Sequence, residues 1–321
     1  MINKFHTYYK CPICKTKTVR TSRPITVNKD TKINWISDSC YELAGLKEAT
    51  CELQTCQSCL HTFLLPIYDT SKLYQTNLGY ETRKKAYESY NPKDVYGYSP
   101  KQDTTADKIF KKSARELKRF ENNLKIFAQI FKSEKINYDS FSILDWGGGD
   151  GYISKIYSSV IKSVLNKEVD YYVYDISEWK NSQGVKQDLN EINKKFQLII
   201  ISHVLEHLHD PLNELKAALK YADKNCVVII EVPDQRYVSL LGLLGKKYGL
   251  NYHVSFFCRK SLTRLMSSTG IKPIFSKYDF NSSYRGNGIE SIIAVGRFNK
   301  QNQLTNNSEP NFLYEFFTTV F

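Results

Sequence analysis

The passage from Ile143 to Tyr152 limits what this chain can fold into more than any other. A short apolar run ends in an acid, Ile143-Leu144-Asp145, and then comes Trp146-Gly147-Gly148-Gly149-Asp150-Gly151-Tyr152. Glycines let the backbone turn tightly and come close to a ligand. A strand that ends in such a turn and opens a helix aims the first helix N–H groups into the crevice at the carboxyl end of the strand. The spacing is D-x-G-x-G-x-G on Asp145, Gly147, Gly149 and Gly151. It differs from the dinucleotide pattern G-x-G-x-x-G, and no lysine follows to make a P-loop. A carboxylate ahead of the glycines would repel a pyrophosphate but could help hold an ammonium group.

Further runs extend the pattern. Tyr171 to Tyr174, Leu198 to Ile201 and Val227 to Ile230 follow the first strand, and the last two are almost wholly aliphatic. Strands buried on both faces of a parallel sheet read this way. Helical patterns near 151–165 and 212–222 separate them, the βαβ rhythm of an open α/β sheet. Late strands are expected at 271–274 and 291–295, after a helix at 259–268. An amphipathic helix is expected over 105–133, where Ile109, Leu117, Phe120, Leu124, Phe127 and Ile130 recur at helical steps. With 321 residues, 41% hydrophobic and 24% charged, the chain suits one large or two unequal folded domains and not a disordered one.

Six of the eight cysteines fall in the first 59 residues: Cys11, Cys14, Cys40, Cys51, Cys56 and Cys59. Met1 to His6 lack the apolar core of an export signal, and no uncharged apolar run nears the ~20 residues of a membrane span. The expectation is a cytoplasmic protein, in which paired C-x-x-C spacings point to metal before disulfides. Cys11-Pro12-Ile13-Cys14 and Cys56-Gln57-Ser58-Cys59 would supply four thiolates to one structural zinc, stabilising a segment too small for a core of its own. Cys40 and Cys51 remain as spare thiols or an alternative ligand. A thioredoxin-like redox pair is the rival reading, but it needs only one knuckle. The expected layout is a zinc-binding module over 1–65 and a Tyr-rich connector or lid over 66–104. The main domain follows over 105–298, then a C-terminal tail over 299–321.

The glycine turn resembles motif I of the class I S-adenosylmethionine-dependent methyltransferases, and the downstream landmarks fall in that family's order. Asp175 closes the second strand run, where the resemblance implies an acid that grips the ribose hydroxyls. Asp188 matches the position that contacts the adenine amino group. Ser202-His203-Val204-Leu205-Glu206-His207-Leu208-His209-Asp210-Pro211 resembles the segment after the fourth strand, and His253-Val254-Ser255-Phe256-Phe257 one found before a later helix. The resemblance covers about 105–298. It implies a Rossmann-like α/β sheet with helices on both faces, joined to the small four-cysteine zinc-knuckle module. It also implies S-adenosyl-L-methionine held by Asp145, Gly147, Gly149, Gly151, Asp175, Asp188 and His203. Singly, Asp175 or Asp188 reads equally well as a turn residue or helix cap. Trp146 stands where a small or polar residue is usual and is expected to reshape the methionine end of the pocket.

Zinc knuckles, a Tyr-rich connector and this core together are similar to a bacterial group that includes sugar C-methyltransferases. The acceptor implied is a small molecule or glycan, foremost a sugar or nucleotide-sugar of surface polysaccharide biosynthesis. Because those enzymes carry a long further C-terminal domain, O-methylation stands beside C-methylation. A hydroxyl acceptor needs a general base near neutral pH, and His253 and His207 are the candidates, with His253 slightly preferred. Two other classes stand beside this one. An RNA methyltransferase would use the +12 net charge and the zinc module to hold a polyanion, although dispersed lysines fit a solvated surface as well. The third class is a binding protein that keeps the fold without the chemistry.

Overall fold

The computed structural model describes residues 10–21, 25–28, 48–65, 141–149, 151, 154, 158, 161–162, 168–176, 185–186, 192–234, 253–279 and 291–299. The connector expected over 66–104, the helix over 105–133, the tail from 300 onward, Cys40 and Asp188 lie outside the described residues.

Two sheets carry the structure. The larger has seven strands: β5 (Phe141–Trp146), β6 (Val169–Tyr174), β7 (Val185–Lys186), β8 (Phe196–Ser202), β9 (Ala222–Pro233), β11 (Ile271–Asp279) and β12 (Ser291–Phe298). Their order across the sheet is β11-β12-β9-β8-β5-β6-β7. β5 to β9 are mutually parallel, whereas β12 runs antiparallel between β9 and β11. The aliphatic runs explain this sheet. Successive side chains of a strand point to opposite faces. Ile199 and Ile201 of β8 accordingly join one buried cluster and Leu198 and Ile200 the other. β9 divides in the same way, with Val228, Ile230 and Val232 on one side and Val227 and Ile229 on the other. Both faces are covered, so almost no position in these strands is free to be polar.

The expected strands all form, with β9, β11 and β12 running past their expected bounds and one helix ending early. Helix α1 runs Pro211–Leu219, shorter than the 212–222 pattern, because β9 already begins at Ala222, paired with Phe196 of β8. Asp210 caps α1 by accepting the Asn213 N–H at 3.0 Å, with Pro211 in the first turn. Helix α2 runs Arg259–Ser268; at its start the Cys258 N–H donates to Ser261 Oγ at 2.9 Å. Ser154, Ser158, Ile161 and Lys162 are helical, as the pattern after the glycine turn requires.

The smaller sheet gathers β1 (Thr18–Arg20), β2 (Ile25–Asn28), β3 (Glu48–Cys56) and β4 (Thr62–Leu65), all antiparallel. Its last strand comes from far along the chain. β10 (Ser255–Phe256) pairs with β4, placing Ser255 opposite Phe63 and Phe256 opposite Thr62. Nothing in a two-residue run announces a strand, and that pairing joins the cysteine-rich segment to the loop that carries His253. One buried cluster holds Cys11, Ile13, Cys56 and Cys59 together with Leu144, Ile199 and Phe257. No helix among the described residues is long and apolar enough to cross a membrane.

Candidate active site

β5 delivers Asp145 to the edge of the glycine turn. The residue is 1% exposed, and its carboxylate accepts a hydrogen bond from Ser154 Oγ at 2.6 Å, fastening the strand end to the helix that follows. Gly147 has φ +74° and donates its N–H to the Tyr174 carbonyl at 2.7 Å. A side chain there would meet Val204 Cγ2 at 2.5 Å, closer than carbon atoms approach, so only glycine fits between β5 and the segment after β8. Asp175, 7% exposed, accepts the Gly149 N–H on Oδ2 at 2.8 Å. Asp145, Gly147, Gly149, Gly151 and Asp175 are thus assembled at the carboxyl ends of β5 and β6. Trp146 is not at that edge. Its ring is buried and packs on Tyr174 and Tyr221, while Nε1–H donates to Glu214 Oε1 at 2.7 Å. The expectation that it shapes the methionine end is corrected: the residue anchors α1 to β5, because the alternation of the strand turns it into the core.

Across the turn, the segment after β8 and the loop before β10 bring three imidazoles around one carboxylate. Glu206, fully buried in the one-turn 3-10 helix Leu205–His207, lies 3.1 Å from His203 Nδ1 through Oε1 and 3.8 Å from His207 Nε2. The His207 and His253 rings meet edge to face, 4.9 Å between centroids. One ligand-type atom each from Glu206, His207 and His253 lies within 4.8 Å of the others. His203 sits in the left-handed region at φ 55°, strained for a residue with a Cβ, and its N–H is held by the Glu231 carbonyl at 2.9 Å. Its Nε2 faces Glu231 Oε1 at 3.6 Å.

The charges follow from this packing. Burial would raise the pKa of Glu206, but the neighbouring His207, then His203, outweigh it and hold the carboxyl at about 2. Burial would lower that of His203, yet hydrogen bonds to Glu206 and Glu231 lift it to about 9, so the ring is an imidazolium at neutral pH. For His253 the balance falls the other way. Desolvation, then the charge of His207, outweighs the pull of Glu206, pushes it down to about 3 and keeps it neutral. Glu206 Oε2 is buried with no hydrogen-bond partner among the described residues, so one lone-pair face of the central acid is unspent.

Cys11, Cys14, Cys56 and Cys59 converge as the knuckle spacing requires. Their Sγ atoms stand 3.6 Å (Cys11 to Cys59), 3.4 Å (Cys14 to Cys56) and 3.6 Å (Cys14 to Cys59) apart. Four sulfurs at about 2.3 Å from a tetrahedral ion would be about 3.8 Å apart, so the arrangement fits a closed thiolate site with a small expansion. The hydrogen bond from Cys59 holds Cys11 down at about 6, while that same contact and burial push the Cys59 thiol up.

Sequence reasoning gives no part to Glu206 or Glu231, although each is a charged residue beside an aliphatic run: an acid in that setting is buried, and a buried acid needs partners. The model of a family described as "Methyltransferase domain" matches residues 106–274. No curated protein matches the sequence. Among solved structures, the magnesium protoporphyrin IX methyltransferase of Synechocystis PCC 6803 with bound SAH is similar at a TM-score of 0.45 and 14% identity, over 71% of this chain and 99% of that one. The CurJ carbon methyltransferase gives 0.43 and 13%, over 74% and 73% of the two chains. The plantazolicin methyltransferase BamL, in complex with a triazolic desmethylPZN analogue and SAH, gives 0.43 and 13%, over 68% and 98%.

Proposed function

The chain belongs to the methyltransferase-domain family and is an S-adenosylmethionine-dependent methyltransferase, and we propose that it methylates a hydroxyl of a small-molecule or glycan acceptor, foremost a sugar or nucleotide-sugar of surface polysaccharide biosynthesis. One observation carries the hydroxyl reading: a proton-accepting cluster, Glu206 with His207 and His253, stands next to the glycine turn, joined to it by the contact of Val204 with Gly147. An acceptor that must lose a proton as it attacks needs such a cluster at that place.

In this reading Asp175 receives the ribose hydroxyls and Asp188 the adenine amine, while Gly147, Gly149 and Gly151 bring the backbone close to the cofactor. Asp145 acts by keeping the turn in shape through Ser154, and His203 borders the cofactor from the end of β8. S-adenosylmethionine, when bound, supplies an electrophilic methyl group. The protein's part is to align the acceptor oxygen and to take its proton. The packing supports His207 over His253 as the base. His207 Nε2 faces a carboxylate that stabilises the imidazolium once the proton arrives, as the acid of a catalytic triad does. His253, held neutral at about 3, is a weak base and packs edge to face against the His207 ring. The four cysteines hold a structural zinc; a closed thiolate site has no open position for catalysis.

The test is a methyl-transfer screen over nucleotide-sugars and free glycans with wild type and His207→Asn. Turnover of a hydroxyl acceptor by wild type, with product carrying an O-methyl group and a collapse in the variant, supports the proposal. A product methylated on carbon or nitrogen, or a variant as active as wild type, refutes it.

A further inference from the structure

The knuckle that carries Cys56 and Cys59 is connected to the proton-accepting cluster through main-chain hydrogen bonds. The Cys56 N–H donates to the His61 carbonyl at 2.8 Å and the Leu60 N–H to the Cys56 carbonyl at 3.0 Å, so the knuckle leads directly into β4. β4 pairs with β10, and the Leu64 N–H continues the ladder by donating to the Val254 carbonyl at 3.0 Å. The next bond reaches the site itself: the Val254 N–H donates to the carbonyl of Glu206 at 2.9 Å. Ser255 Oγ closes the other side of the same turn by donating to the Leu208 carbonyl at 2.8 Å. His61 fills the joint, fully buried, its ring 4.8 Å from that of Phe257 and 5.9 Å from that of Phe63. A bridge between Asp234 and Phe257 also links the His253 loop to the end of β9.

The glycine turn is held differently. Gly147 bonds Tyr174, Gly149 bonds Asp175, and Asp145 bonds Ser154, all within the central sheet and its first helix. The two halves of the site thus differ in their hydrogen bonding: the glycine turn is tied to β5, β6 and the first helix, whereas the His253 loop is tied to β4 and the Glu206 turn, and the halves meet where Val204 packs on Gly147.

We propose that the cysteine module is the positioning element of the acceptor half-site, with Leu64 and His61 as positioning residues that set His253 and the Glu206–His207 turn through β10. The thiolate cluster fixes the knuckle, the knuckle fixes β4, and β4 fixes the distance between His253 and His207. Loss of the metal then moves the base while leaving the cofactor turn alone. Such coupling needs a continuous physical path with a defined geometry, which the ladder provides. It rests on the reading of His207 and its neighbours as the proton-accepting group.

The experiment uses the full chain, as wild type, as wild type stripped by a chelator, and as Cys59→Ser and Cys59→His. S-adenosylmethionine affinity is measured by calorimetry, amide hydrogen exchange is followed at Leu64, Val254 and Phe256, and kcat and KM are measured on the acceptor found in the screen. The expected result of stripping or of Cys59→Ser is at least tenfold faster exchange at those amides and at least a tenfold lower kcat. Cofactor affinity should stay within twofold, and Cys59→His, which keeps four zinc ligands, should restore both exchange and kcat. Unchanged exchange at Val254 after metal loss overturns the proposal, and so does cofactor affinity falling in parallel with kcat. Should Cys59→Ser fail to fold, the stripped wild type gives the same readings. Exchange does not depend on turnover, so a protein that methylates no hydroxyl refutes the functional reading while Val254 still decides the coupling.

Discussion

In the proposed reading, Glu206 is the residue on which the acceptor chemistry turns. A carboxylate with no exposed surface, pulled to about 2 by the imidazoles around it, stays ionised at every physiological pH. It can therefore stabilise a proton arriving on His207 without itself leaving the charged state. His207→Asn should leave cofactor affinity nearly intact while methyl transfer falls by roughly 10²–10⁴-fold, read from kcat beside a binding isotherm. Asp175→Ala should weaken S-adenosylmethionine binding by roughly 1.5–3 kcal/mol, the range for hydrogen bonds to a charged group, with unchanged affinity by calorimetry as the contrary result. His203 gives a prediction with a sign. Its folded pKa of about 9 lies above the ordinary 6.5, so its contribution to stability is complete below 6.5 and is lost as pH rises through 9. Glu206 runs the other way: from an ordinary 4.5 down to about 2, its contribution is complete above 4.5 and is lost as pH falls through 2. His203→Asn, a residue tolerant of the left-handed backbone at this site, should flatten the decline in melting temperature between pH 6.5 and 9. A variant that declines as steeply as wild type would show that the imidazolium is not its source.

At the scale of elements, the glycine turn and the segment after β8 that faces it form one fitted joint. Gly147→Ala puts a Cβ 2.5 Å from Val204 Cγ2 at φ +74°, so two costs combine. The left-handed backbone alone costs roughly 1–2 kcal/mol for a residue with a Cβ. Pairing it with Val204→Ala should recover the steric part only, and denaturant unfolding of the four forms of the cycle separates the two. Full recovery in the double variant would mean that the backbone there is unstrained. This joint is readable in the amino-acid sequence because its physics is local: a strand, an acid and glycines at fixed spacing. So are β8 and β9, since burial on both faces leaves a nearly continuous aliphatic run. The helical pattern overruns the end of α1 because Tyr221 and Ala222 continue it, while pairing with β8 decides where β9 begins. β10 and the grouping of Glu206 with His207 and His253 are not readable. Both depend on contacts between segments far apart in the chain, and a pair such as Ser255-Phe256 carries no periodicity of its own.

Across the whole molecule, the cysteine module and the central sheet share a core. Cys11, Ile13, Cys56 and Cys59 lie in the same buried cluster as Leu144, Ile199, Leu262 and Met266, and β10 extends the small sheet from within the larger chain segment. Elements that share buried apolar contacts lose them together, so the two sheets should unfold in one cooperative step and not as a fragile module followed by a robust domain. By the proposed reading, zinc that binds the folded cluster alone would stabilise both sheets together. Each tenfold rise in free zinc above the dissociation constant adds about 1.4 kcal/mol. At roughly 2 cal/mol/K of unfolding entropy per residue, that shifts the melting temperature of a chain this long by about 2 °C. Scanning calorimetry at several buffered zinc concentrations should show one transition moving upward by that step, and Cys14→Ser should give one transition that does not move. Two transitions, of which only the smaller responds to zinc, would mean that the module folds by itself and that the shared cluster contributes little to holding the sheets together.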